Sequence, residues 1–519
     1  MNRPRMCIVF LFFFIATFGC SQHRTQEKKK PPNLLFIMTD QQRFDALSFA
    51  GNTVLKTPNM DRLAKEGVYF KNAYTQCAVC TPSRAAMLTG MTVANTKVIS
   101  NRLAYEPEAS GIMPMKTYDE VLAENGYEAE YYGKWHTPTF RAKIYNNPVT
   151  VAGRSVSELG PGKKAVYLDH LEDRFPELDP TDNQLMDTYT DRPYWPHPLD
   201  KRWMLKQAGE DYDIKVGQSD IHGITTIPAE HHISVVTATK VMDALERLKD
   251  KPFSITASFH HPHPPYLAAE EFIKLYPPQE MVPPVNMDYK TGSPYWRDIK
   301  QANEVYSDPE QIKYFISEYY ALVKEVDYWV GEILNKVDEL GLAENTLVVY
   351  TSDHGEMLGS HGLRGKFNFY EESSHVPIIL RFPGKIDAGT IVKSPVSTIN
   401  LFATILDYLQ VPSAPKADGE SLRGLIEGVV DKDTYVVTEW LTSLNTKPAY
   451  MVVKGGWKLM LPHPTGKNVM TGLYNLNQDP HEMTNLVADE RGAEKYKTKV
   501  DELGACFTEW IKKTTKANH

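Results

Sequence analysis

Two apolar runs about three hundred residues apart each end on an acid: NLLFIMTD closes on Asp40, followed by Gln41, and TLVVYTSD closes on Asp353, followed by His354. Two carboxylates with an amide oxygen suit a hard cation such as Ca²⁺ or Mg²⁺, and one imidazole nitrogen shifts the balance toward Mn²⁺ or Zn²⁺. Taken singly, an aspartate after a strand is an ordinary cap for the turn that follows. Between the two runs, CAVCTPSR sets Cys77 and Cys80 at C-x-x-C spacing. A redox dithiol carries its reactive thiolate on the first cysteine of a thioredoxin-like unit and has no use for Ser83-Arg84. A structural zinc site needs a second ligand pair, and Cys506 stands alone. Lys134 and His136 of GKWH, His263 of HHPHPPY and Lys366 of HGLRGK add cations and proton-transfer groups. HEMTN (481–485) lacks the second histidine of a zinc-protease helix.

The elements that position these groups read as follows. Continuous apolar runs such as 33–40 and 346–353 are the pattern of strands buried on both faces of a parallel sheet. Each delivers its acid at the strand's C-terminal end, the edge where open α/β sheets bind ligands. Apolar residues recur at three and four in 57–68 and 319–341. Val323, Val326, Val330, Ile333, Leu334 and Val337 form one stripe that is expected to pack on the sheet and to do no chemistry. Residues 139–225 and 262–310, rich in Pro, Tyr and Asp, are expected to be long loops around a site. After 399–412 the texture changes to short antiparallel strands over 434–440, 449–462 and 471–480 and a terminal helix over 493–513.

The 519 residues suffice for one large and one smaller domain. The N-terminus carries Arg3 and Arg5 and then CIVFLFFFIATFG, too short for a spanning helix but suited to a signal-peptide core. Cleavage before Cys20 is expected to leave a lipid-bearing cysteine, with 20–31 as a solvated tether. Residues 1–19 hold those two cations and no acid, so their removal takes the formal charge from -8 to -10. Bulk electrostatics therefore disfavour nucleic acid, and an anionic substrate must be drawn by a local cationic site. Of five cysteines, Cys77, Cys80 and Cys506 remain in an exported chain, too few for a disulfide scaffold.

Cys80-Thr81-Pro82-Ser83-Arg84 with AAMLTG resembles the signature of the type I sulfatases, whose first cysteine is oxidised to formylglycine. NLLFIMTDQQRFDAL, TPNMDRLAKEGVYFKNAY, GYEAEYYGKWH, FSITASFHHPHPPY, TLVVYTSDHGEMLGSHGLRGK, YEESSHVPIILRFPG and GLYNLNQDPHEMTNL are similar to further family blocks, in order, along nearly the whole chain after the leader. The resemblance implies that Cys80 is the active position and Cys77 incidental. It also implies one divalent cation, Ca²⁺ by preference with Mg²⁺ or Mn²⁺ as alternatives, held by Asp40, Gln41, Asp353, His354 and the modified residue 80. Arg84 is expected to neutralise charge on the aldehyde hydrate, and Lys134 and Lys366 to hold sulfate oxygens. His136 is expected to take a proton from the second hydroxyl and His263 to protonate the leaving alcohol. Gln41 and His354 depart from the commonest pattern and resemble choline sulfatases and phosphonate monoester hydrolases.

The resemblance further implies an alkaline-phosphatase-like α/β/α sandwich over 32–430, with a smaller C-terminal α+β domain containing an antiparallel sheet over 431–519. The expected reaction is hydrolysis of a sulfate ester on a saccharide, after maturation by a formylglycine-generating enzyme, in a periplasmic or outer-membrane-anchored protein. The alternatives are a phosphonate monoester or phosphodiester hydrolase, a choline or aryl sulfatase, and, more remotely, a binding lipoprotein without activity. Candidate sugar contacts are His260, Asn101, Arg102, Arg297 and Arg364.

Overall fold

The computed structural model describes residues 30–101, 115–137, 150–151, 222–224, 232–264, 266–288, 308–412, 414–429, 433–441, 449–462 and 471–516. Two of the candidate sugar contacts, Arg102 and Arg297, and most of the expected loop 139–225 lie outside the described residues.

The main sheet has eight strands: β1 (Asn33–Thr39), β2 (Val68–Phe70), β3 (Glu128–Gly133), β4 (Thr150–Val151), β5 (Phe253–Ser258), β6 (Thr346–Ser352), β7 (Ile378–Arg381) and β8 (Thr390–Val392), in the spatial order β8-β2-β7-β6-β1-β5-β3-β4. β1 pairs in parallel with both β6 and β5, and β3 with β5, while β7 runs antiparallel between β6 and β2. Successive side chains of a strand point to opposite faces. Leu35 and Ile37 of β1, with Val348 and Tyr350 of β6, enter one apolar layer; Leu34, Phe36 and Met38, with Leu347 and Val349, enter the other. Helices α1 (Pro58–Glu66), α4 (Ile233–Leu248) and α5 (Pro309–Glu339) cover the first face. α2 (Cys80–Thr89), α3 (Tyr118–Glu124) and α6 (Asn400–Tyr408) cover the second. The expected three-layer sandwich is present.

The stripe on α5 packs as its periodicity predicts, with Val323, Val326, Val330, Ile333, Leu334 and Val337 all buried against the sheet. Each such burial stabilises by about 1.5–3 kcal/mol. The helix begins ten residues earlier than the repeat alone indicates, inside the stretch expected to be loop. Asp308 caps it by accepting from Glu310 N at 2.8 Å, and Pro309 takes the first helical position, where its missing N–H has no cost.

Register places the site. Thr39 lies level with Ser352 and Gly133 with Ser258, so Asp40, Asp353, Lys134 and Phe259 leave the sheet side by side at its C-terminal edge. Gly133 permits this: its φ is +93°, and a Cβ there would meet Ser258 O at 1.9 Å.

The C-terminal part is a four-stranded antiparallel sheet, β9 (Tyr435–Trp440), β10 (Ala449–Lys454), β11 (Trp457–Pro462) and β12 (Gly472–Asn475), in that order. Gly455 and Gly456, both with positive φ, make the two-residue turn between β10 and β11. One face, through Val436, Met451, Val453, Met460 and Tyr474, packs on Tyr74, Met357, Phe369 and Tyr370. The other buries Val437, Val452, Leu459 and Leu473 under Leu503 and Cys506 of the last helix, α7 (Lys497–Lys516). Strand β9 also lies against the chain entering α2: Thr438 Oγ1 donates to Thr75 O at 2.8 Å and Glu439 N to Gln76 O at 2.8 Å. No described helix is long and apolar enough to cross a membrane.

Candidate active site

Cys80 occupies the first position of α2, after an extended Val79, so its side chain sits at a helix N-terminus where negative charge is favoured. Its Sγ is 3.1 Å from His354 Nε2, 3.1 Å from Lys366 Nζ and 3.9 Å from Asp40 Oδ1. Burial and the Asp40 carboxylate push this thiol up, but Lys134, Lys366 and His354 outweigh them and bring it down to about 7. Cys77 is the reverse case. It packs with Val79, Ala86, Val93 and Ile399, and burial together with Glu439 pushes its thiol well up. Cys77, Cys80 and Cys506 are all free thiols. The C-x-x-C spacing therefore marks neither a disulfide nor a pair of equals.

Asp40, Cys80, Asp353 and His354 bring one donor atom each to within 4.8 Å of one another, all buried. The imidazole is oriented for this. His354 Nδ1 lies 2.9 Å from Gly355 O, and since a carbonyl only accepts, Nδ1 carries a proton and Nε2 is the nitrogen that faces the cluster and would offer its lone pair to a bound cation. Asp353 Oδ1 accepts from Gln41 N at 3.1 Å and His354 N at 2.9 Å, and Oδ2 from Arg84 Nε at 2.8 Å. Gln41, held at a left-handed φ of +71°, is oriented by its neighbours. Its Nε2 donates to Glu356 Oε2, which leaves Oε1 to accept from Lys366 Nζ at 2.5 Å beside Cys80. Two carboxylates, an imidazole lone pair and an amide oxygen, buried together, fit one hard divalent cation.

Three cations balance these acids. Lys134 Nζ donates to Asp40 Oδ2. Arg84 is fully buried, with Nη2 3.5 Å from Asp40 Oδ2 and Nη1 donating to Lys134 O at 2.7 Å and to Ser258 Oγ at 2.9 Å. Burial opposes its charge, but Asp353, Tyr131, Asp40 and Cys80 itself outweigh it and keep the guanidinium charged. Burial opposes ionisation of Asp40, but Lys134, His263, Arg84 and Lys366 together hold its carboxyl well below the usual range. Ser83 completes the C-T-P-S-R run by donating its hydroxyl to Asp353 O at 2.6 Å, as Thr75 does.

Two imidazoles stand ready for proton transfer. Burial, then Lys134 and Arg84, push His136 well below its ordinary value, so it is neutral and has a free site for a proton; its φ of +48° is another left-handed conformation at the site. His263 is pushed down by burial, Lys366, Lys134 and His260. His260, buried and pushed down by burial and Lys134, lies with its ring 4.9 Å from that of His263 and tilted by 40°. Asn101 Oδ1 accepts from Thr81 N at 3.0 Å, fastening the start of α2. Arg364, partly buried, sits two residues before Lys366. His375 is structural: it bonds Glu371 Oε2 at 2.8 Å and Lys71 O at 2.9 Å and stacks on Phe44.

Sequence reasoning missed Glu356, Arg43 and Ser258. Glu356 orients Gln41, and its Oε1 also accepts from Leu358 N at 3.1 Å. Arg43 Nη1 donates to Met357 O at 3.1 Å and ties the two acid-bearing loops together. All three lie in the quoted runs, but no spacing rule singles them out.

The family profile described as Sulfatase matches residues 32–411, and that described as N-sulphoglucosamine sulphohydrolase, C-terminal matches 359–506. An ulvan-active sulfatase of Formosa agariphila is 29% identical over 407 residues, covering 78% of this chain and 66% of that enzyme. An N-acetylglucosamine-6-O-sulfatase of Bacteroides thetaiotaomicron is 25% identical over 92% of this chain and 86% of its own. A phosphonate monoester hydrolase of Agrobacterium radiobacter superposes with a TM-score of 0.71 at 22% identity, over 93% of this chain and 96% of its own, a likeness of fold. Every described site residue from Asp40 to Lys366 lies within the span of the first profile, and the chain belongs to the alkaline-phosphatase-like sulfatase family.

Proposed function

We propose that the chain hydrolyses a sulfate ester of a saccharide to alcohol and sulfate, using residue 80 after its oxidation to formylglycine. The observation that supports this most is the convergence of Lys366, His354 and Asp40 on one side chain at the N-terminus of α2. Cys80 Sγ stands in for the hydroxyls of the aldehyde hydrate. A field that lowers a buried thiol also favours the alkoxide of that hydrate. Asp40, Gln41, Asp353 and His354 would hold a divalent cation, with Ca²⁺ the ion expected from the oxygen donors; when bound it supplies polarisation of a sulfate oxygen.

The protein's own groups divide the remaining work. Lys134 and Lys366 flank the donor cluster and hold the sulfate's negative charge. One hydroxyl of the hydrate gives its proton to water and attacks sulfur as the alkoxide, the bond from sulfur to the ester oxygen breaks, and His263 gives the departing alcohol its proton. The second hydroxyl then loses its proton to neutral His136, the carbon–oxygen bond to sulfate breaks, and the aldehyde is restored and rehydrated by water. The saccharide assignment is supported by the named activities of the Formosa and Bacteroides relatives. Export, cleavage before Cys20 and a lipid anchor belong to the same reading, as does maturation by a formylglycine-generating enzyme.

Ion chromatography of sulfate released from defined sulfated oligosaccharides, beside choline sulfate, 4-nitrophenyl sulfate and a phosphodiester, tests it. The highest kcat/KM is expected on a saccharide sulfate. Preference for the phosphodiester, or turnover confined to choline and aryl sulfates, would overturn the assignment.

A further inference from the structure

The turn after β5 carries His260 and His263 toward the Lys134 and Lys366 side of the site, but His261 faces the other way. His261 Nδ1 lies 2.9 Å from Ser234 Oγ, at the start of α4, and 3.7 Å from Glu325 Oε2, midway along α5. Glu325 Oε2 is also 3.2 Å from His232 Nδ1, just before α4. Glu325 is fully buried beside the apolar stripe of α5, where packing alone calls for a hydrophobic side chain. Among the described residues no lysine or arginine pairs with it. A buried carboxylate in that setting is expensive unless donors are aimed at it. Burial pushes Glu325 up, but His232, His261 and the Ser234 hydroxyl outweigh it and keep the group ionised. Burial and His232 hold His261 down at about 4, so its imidazole is neutral. With the Ser234 hydroxyl proton given to Glu325, Nδ1 donates its one proton to Ser234 Oγ.

We propose that Glu325 is a positioning residue: through Ser234 and His261 it clamps the turn that aims His263 at the leaving-group oxygen. The clamp joins two helices on one face of the sheet to the loop at its catalytic edge, and it touches no reacting atom. This rests on the reading of His263 as the proton donor. A donor matters most when the leaving alcohol is a poor one and little when it is an activated phenol.

The test compares kcat/KM on 4-nitrophenyl sulfate and on a saccharide sulfate for Glu325→Gln, Ser234→Ala and His263→Ala. His263→Ala is expected to lose about a hundredfold on the saccharide sulfate, and the two clamp variants about tenfold, with little change on the activated ester. Ser234→Ala, the smaller perturbation, serves where Glu325→Gln unfolds, and thermal melting reports that. Equal losses on both substrates in the clamp variants, or no loss, would overturn the proposal while His263→Ala stays leaving-group dependent. If His263→Ala is itself indifferent to the leaving group, the donor reading and the proposal fall together.

Discussion

His263 Nδ1 lies 2.7 Å from Pro264 O, which fixes the proton on that nitrogen and leaves Nε2 as an acceptor in the free protein. Donation to an alcohol therefore requires a second proton, which burial, Lys366 and Lys134 resist. An anion held between those lysines cancels the field that opposes protonation. The affinity of His263 for a proton must then rise on binding, so binding takes up a proton. Calorimetric titration of vanadate in buffers of different ionisation enthalpy should show an uptake of about one proton near neutral pH, lost in His263→Ala. Binding without proton uptake would remove His263 from the donor role. At this scale the candidate ligands and the cations beside them were legible because residue type and neighbourhood announce them. Glu356 was not: its partner Gln41 is three hundred and fifteen positions away, and only the fold brings the two together.

At the scale of elements, strands buried on both faces were readable from unbroken apolar runs, and their common register explains why two distant acids meet. α5 was read short because the three-and-four repeat is the loudest signal, while its cap, Asp308-Pro309, lies in a stretch rich in loop-forming residues. Periodicity also could not reveal that β11 brings a lysine inward. Lys458 is fully buried, 2.7 Å from Glu371 Oε1 and 2.8 Å from Glu482 Oε1, so one cation of the C-terminal sheet meets two acids. One of the two stays ionised: Lys458 and His375 overcome burial to hold Glu371 down, whereas burial, Glu371 and Glu372 outweigh Lys458 and push Glu482 up to about 8. A raised folded value gives stability that is complete at low pH and disappears as pH rises through it. Urea midpoints are expected to fall as pH rises from the ordinary 4.5 to about 8 and to level off above it. Lys458→Met should lose about 3–5 kcal/mol by leaving a buried charge unpaired. A midpoint flat in pH, with Lys458→Met as stable as the parent, would show that this network does not hold the sheet in place.

For the whole molecule, a chain of formal charge -8 is predicted to bind an anion, and the resolution of that conflict is local. Arg84, Lys134 and Lys366 surround one helix terminus at the edge of the sheet, and the C-terminal sheet packs against the segment that feeds it. Fold class and the catalytic edge were legible because they follow from strand order and from motifs tied to strand ends. Which saccharide fits was not, since Arg102, Arg297 and most of 139–225 lie in stretches without a periodicity from which a shape follows. The account depends on residue 80 bearing two oxygens in place of sulfur. Mass spectrometry of the peptide containing position 80, from protein that releases sulfate, should show loss of one sulfur and two hydrogens and gain of one oxygen, with Cys80→Ala inactive. Unmodified cysteine throughout fully active protein would contradict it.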